Sequence, residues 1–127
     1  MPHSPLGKIL FVGLLLLPSL ALADSLKSAA SSGRKLYENY CARCHGLNAK
    51  GLPDRAKELK TDWVHLDLTR EEVVKKSVRS LEALIVGGHG KMPKQASLTR
   101  KEVRAVLKYL QSLQRAYAEV KAEGKGK

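Results

Sequence analysis

Cys41-Ala42-Arg43-Cys44-His45 is the stretch whose reading decides the fold. Two thiols separated by two residues stand about one helical turn apart, close enough to reach two vinyl groups of a single porphyrin. The imidazole of His45 follows at once and is placed to bind the iron from one side. C-x-x-C-H in this form reads as covalent attachment of a c-type haem. Its rivals are a thioredoxin-like redox pair, half of a zinc site, and a chance match. A redox C-x-x-C belongs near a βαβ pattern, and the chain has no strand-rich unit of that kind. Structural zinc takes four ligands, and Cys41, Cys44 and His45 are too crowded to supply three of them well. Both cysteines of the chain lie in this motif, so no disulfide framework competes for them.

Working outward from the motif, the N-terminal stretch is of another kind. Lys8 precedes the apolar run Ile9–Leu17, then come Pro18 and the small-x-small Ala21-Leu22-Ala23. That order predicts a secretory signal peptide over residues 1–23. The run is short against the roughly 20 apolar residues of a spanning helix, so no stable membrane insertion is expected after cleavage. No cysteine follows the cut to take a lipid. The remaining domain is 24–127, with an ordered core expected over about 31–118. A C-x-x-C pair in an oxidising compartment tends to close into a disulfide unless haem occupies the sulfurs. Export and motif together therefore point to a periplasmic location.

The 127 residues carry a formal charge of +11, and losing Lys8 leaves the mature chain strongly basic. Such a surface favours negatively charged partners and speeds their encounter. The chain has one Trp and one Phe, with the Phe in the leader. A large apolar cofactor at the centre would fill what so few aromatics leave open.

Periodicity predicts an all-α fold with three main helices. Gly33, Tyr37 and Cys41 recur every four residues, which predicts a first helix over about Ser32 to Cys44. Gly46 to Pro53 reads as a loop, Asp54–Lys60 as a short helix, and Thr61–Asp67 as irregular. Thr69 and Glu72 form a T-x-x-E capping box, expected to open a helix with Val73, Val74, Ser77, Val78, Leu81 and Leu84 on one face. Gly87 and Gly88 end it. Thr99 and Glu102 form a second box, opening a helix with Val103, Val106, Leu107, Leu110 and Leu113 inward. Glu119 to Lys127 is expected to fray.

An iron held by His45 has either an open far face or a second ligand. Met92, in the loop Gly87-Gly88-His89-Gly90-Lys91-Met92-Pro93, is the candidate. It lies 47 residues after His45, enough chain to wrap a haem, and a thioether ligand raises the reduction potential. The bland alternative is an ordinary apolar side chain, although Met92 stands beside a proline and between two lysines. His89 in the same loop is a competitor, and a lone loop histidine is more often solvated. His65, in Trp63-Val64-His65-Leu66, reads as structural.

Gly33 and Tyr37, Cys41-x-x-Cys44-His45, Pro53, Met92-Pro93 and a last helix with Tyr109-Leu110 together resemble the class I single-haem c-type cytochromes. The resemblance covers nearly all of 24–127. It implies a cytochrome c-like fold, with three helices and loops wrapped around one covalent haem c whose iron is ligated by His45 and Met92. It implies that the first and last helices cross at Gly33 and that Tyr109 packs there and against the haem. In such proteins a proline carbonyl accepts the far ring N–H of the axial histidine; Pro53 matches that role. Trp63 matches an indole donor to a haem propionate, or else a core aromatic with a bonded N–H.

The leading expectation is an electron carrier rather than an enzyme, with electrons passing through a haem edge near the two cysteines. Arg43, Lys50, Lys91 and Lys94 are candidates to surround that edge and attract acidic redox partner proteins. A haem enzyme or gas sensor with a displaceable sixth ligand is the alternative from another class. A cytochrome subunit fixed in a larger oxidoreductase complex is a further one. The basic charge is no sign of nucleic-acid binding, because export removes the opportunity and no binding motif appears.

Overall fold

The computed structural model describes residues 31–125. The expected leader 1–23 lies outside them. The described chain is helical, and its only bridge-like pairing among those residues is between His89 and Met92. Helix α1 runs over 31–40, and after a turn at Cys41 the short α2 (Ala42–His45) carries the motif. Helix α3 (Pro53–Glu58) opens with proline in its first turn, where the missing N–H has no partner to lose. A 3₁₀ turn, Trp63–Leu66, follows, capped by Asp62, whose Oδ1 accepts from Val64 N. Then come α4 (Glu71–Val74), α5 (Val78–Gly87) and the long α6 (Arg100–Gly124).

The Thr99/Glu102 box forms in full: Glu102 N donates to Thr99 Oγ1, and Thr99 N donates to the Glu102 carboxylate at 2.8 Å. The Thr69/Glu72 box does not form. Thr69 gives both its N–H and its hydroxyl to Asp67 Oδ1, at 2.8 and 2.7 Å, and Glu72 pairs with Arg70 instead. A nearer carboxylate has captured the threonine, the local competition that draws such residues out of caps. The single helix expected from Thr69 is therefore two, and Ser77 caps the second through Ser80 N. Val74 and Val78, expected inward, are exposed, while Ile85 is buried. Fraying from Glu119 is also not observed, since α6 continues to Gly124.

The core gathers on one stripe of α6. Val103, Val106, Leu107 and Leu110 are buried and pack with Tyr37, Ala42, Ala49, Ile85 and Leu98. At roughly 1.5–3 kcal/mol for each fully buried aliphatic side chain, this stripe is the main cohesive element. Helices α1 and α6 cross at Gly33, where an added Cβ would lie 2.3 Å from the Ala105 carbonyl oxygen and 3.4 Å from the Tyr109 Cβ. Only a residue without a side chain allows that approach. One turn on, the Tyr37 and Tyr109 rings meet edge to face, 5.5 Å between centroids.

Candidate cofactor site

The motif is held from both sides by backbone. Cys44 N and His45 N donate to Cys41 O at 3.1 and 3.0 Å, and Gly46 N to Ala42 O at 2.8 Å. The Tyr37 hydroxyl, nearly fully buried, donates to Gly46 O at 2.9 Å and ties α1 to the residue after the histidine. Cys41 and Cys44 are free thiols, both half-buried. Burial first, and the neighbouring Cys44 second, push the Cys41 thiol up to about 11.

His45 is 8% exposed, and its Nδ1 lies 2.8 Å from the Leu66 carbonyl oxygen. A carbonyl can only accept, so Nδ1 carries the proton and the Nε2 lone pair is left free. Burial lowers the pKa of His45 below its ordinary value, against the opposing effect of the Leu66 bond. The ring is thereby kept neutral, in the tautomer a metal ligand needs. Gly51 makes this contact possible: its φ is +78°, and a Cβ there would lie 2.9 Å from the Leu66 Cβ.

Met92 is half-buried and packs against the same apolar cluster as Cys41. Its loop is closed by a two-bond pair: His89 N donates to Met92 O at 3.1 Å and Met92 N to His89 O at 2.9 Å. The His89 side chain is exposed. Arg55 lies beside Cys44. One of its terminal nitrogens bonds Glu58, while its Nε is buried without a partner. Among the described residues no group of three or more His, Cys, Asp and Glu side chains is arranged to hold a metal ion. These residues fit a haem: two thiols one turn apart, a neutral imidazole with a free nitrogen, a thioether on the same apolar cluster, and an unsatisfied cationic donor suited to a carboxylate.

Residues 28–110 match the family described as cytochrome c oxidase, cbb3-type, subunit III. The chain belongs to this family. It is a c-type cytochrome domain, an electron-transfer haem protein. Subunit CcoP of the cbb3-type cytochrome c oxidase of Rubrivivax gelatinosus is 34% identical over 115 residues, covering 87% of this chain and 34% of that protein. Cytochrome bc1 complex cytochrome c subunits of Mycobacterium bovis and Mycobacterium tuberculosis are 40% identical over 43 residues, covering 33% of this chain and 15% of theirs. The cytochrome domain thus spans about a third of its CcoP relative and less of the others. No solved structure matches it.

Within the cytochrome domain, the carbonyl that faces His45 is Leu66, not Pro53. Pro53 is the exposed first residue of α3, and its carbonyl belongs to that helix's first turn. Trp63 is exposed at the start of the 3₁₀ turn, and His65 is exposed two residues on. Tyr109 is half-buried at the α1–α6 crossing, in contact with the core. Lys50 leaves the expected charged ring: its ammonium lies 3.9 Å from Asp67 Oδ2 and 3.9 Å from the Tyr117 ring centroid. Arg43, Lys91 and Lys94 remain exposed. No helix among the described residues is long and apolar enough to cross a membrane.

Leu66 and Arg55, beside His45 and Cys44, were not legible in the sequence, nor was the bond from Gln114 to the Leu68 carbonyl oxygen. A backbone acceptor leaves no mark in the side-chain sequence. Gln114 had a weak signal, a polar residue on the stripe that Leu107 and Leu110 occupy, at i+7 and i+4.

Proposed function

We propose that this cytochrome passes single electrons through one haem c, bound by thioethers to Cys41 and Cys44, with His45 Nε2 and Met92 Sδ as axial ligands. We further propose that it does so as a component of a respiratory oxidoreductase complex on the exported side of the membrane. The observation that carries the reading is the buried His45 ring, fixed through Nδ1 with Nε2 left free. When bound, the haem supplies the one-electron couple. The chain's own residues supply everything around it. Leu66 fixes the imidazole plane and adds basicity to it. Met92, anchored by its paired loop, brings a neutral soft ligand that favours the reduced metal. Arg55 would offer a positive charge and its unpartnered Nε to a haem carboxylate, and the apolar cluster around Cys41 and Met92 would keep water away.

A complex component is preferred to a freely diffusing carrier because the relatives' names are those of oxidase and bc1 subunits. The single C-x-x-C-H in the sequence supports one haem. The exposed Arg43, Lys91 and Lys94 would present positive charge to an acidic partner surface. The test is co-purification of the haem-loaded protein from its own membranes with an oxidase or bc1-type complex, together with salt-dependent reduction by that complex. Recovery of the protein alone, with reduction rates indifferent to salt, would remove the complex from the reading.

A further inference from the structure

The segment Leu66–Leu68 is tied to the far half of α6. Gln114, 9% exposed, donates Nε2 to the Leu68 carbonyl oxygen at 2.7 Å. One turn further along α6, the Tyr117 ring packs under Lys50, whose ammonium faces Asp67. Leu68 N in turn donates to Ala49 O at 2.7 Å. Leu66 offers its own carbonyl to His45 two residues before the Gln114 contact. The 3₁₀ turn is held at its leading end, where Val64 N donates to Asp62 Oδ1 and Arg70 donates to Val64 O, while Trp63 and His65 are exposed and the trailing end is held through Leu68.

We propose that Gln114 is a positioning residue for the axial histidine. Its bond to Leu68 O fixes the strand of backbone that presents Leu66 O to His45 Nδ1, so that α6 sets the strength of the Nδ1–H bond across 46 residues of sequence. A firm Nδ1–H···O bond makes the imidazole more electron-rich, which stabilises the oxidised metal and lowers the potential. Loosening the segment does the reverse. The inference rests on the proposed haem ligation by His45.

The experiment uses the haem-loaded protein and three variants. Gln114→Leu keeps volume and removes the donor; Gln114→Glu keeps shape and turns the donor into an acceptor; Leu113→Ala loosens the same turn of α6 and leaves the bond intact. The readouts are the exchange rate of the His45 Nδ1 proton by NMR and the midpoint potential. Loss of one hydrogen bond corresponds to about a tenfold change. Both Gln114 variants are expected to exchange about tenfold faster, and Gln114→Leu, which adds no charge, to show a raised potential, with Leu113→Ala unmoved in both. Wild-type exchange and potential in the Gln114 variants, or an equal change in Leu113→Ala, overturns the proposal. Should Gln114→Leu not mature, Gln114→Asn, one methylene shorter, gives the same signs if the proposal holds and wild-type values if it fails. A protein that attaches no haem, or whose His45 is not a ligand, sinks the ligation reading and this inference with it, whereas wild-type values in a haem-loaded, His45-ligated Gln114 variant sink this inference alone.

Discussion

His45 Nδ1 and the Leu66 carbonyl oxygen, 21 residues apart in sequence, stand 2.8 Å apart in the fold. That bond settles the tautomer of the His45 ring and links α2 to the segment before α4. It exists because Gly51 lets the intervening chain pass close to Leu66, at a position where an added Cβ would lie 2.9 Å from the Leu66 Cβ. Gly51→Ala is expected to separate the two and to lower the yield of matured cytochrome. In what does mature, the potential rises. An unchanged potential in the loaded Gly51→Ala protein would mean that Leu66 has no hold on the ring.

Gly33→Ala attacks the other junction. A methyl group 2.3 Å from the Ala105 oxygen must push α1 off α6. Overpacking of this kind costs about 1–3 kcal/mol, which for a domain of this size is roughly a 5–15 °C fall in Tm. Calorimetry of the loaded protein checks it, and a Tm within a degree of wild type would show that the crossing is not as close as described.

The placing of the C-x-x-C-H residues and the apolar stripe of α6 were legible because each is a local pattern, whereas the glycine crossing was implied only by the family resemblance. C-x-x-C-H fixes two sulfurs and an imidazole within two turns, and Val103 to Leu110 repeat with helical period. The long helix expected from Thr69 was misread because two acceptors lay within reach of that threonine. Asp67, two residues back, wins over Glu72. Pro53 was misplaced as the partner of His45 for a different reason: which carbonyl reaches a ring is decided by loop path, and a loop path has no periodicity to read.

The Thr99/Glu102 box gives a stability prediction with a pH sign. Hydrogen bonds from Thr99 hold the Glu102 carboxyl below its ordinary value. A depressed carboxylate contributes stability above its unfolded pKa and loses it as pH falls through the folded one. Thr99→Ala is therefore expected to cost about 1 kcal/mol near neutral pH and less in acid, below the Glu102 titration. Urea midpoints at pH 7 and pH 3 check it; an equal loss at both would remove the carboxylate from the cap.

Arg55 brings its unpartnered Nε and a full positive charge beside Cys44. Positive charge near the haem favours the reduced form, so Arg55→Gln is expected to lower the potential. It should also raise the pH at which the potential begins to vary, because a haem carboxylate loses its counter-charge. Potentiometry from pH 5 to 9 reads both; a variant that overlays wild type would mean the guanidinium serves Glu58 alone.

The central claim, a haem c held by Cys41 and Cys44 between His45 and Met92, is tested most directly by absorption spectroscopy of the matured protein, oxidised and reduced, with carbon monoxide added to the reduced form. The expected result is a weak red-edge band in the oxidised wild-type protein and no response to carbon monoxide, with the band lost and carbon monoxide bound in Met92→Ala. Ready carbon monoxide binding by the wild-type protein, or a band that survives Met92→Ala, would contradict it.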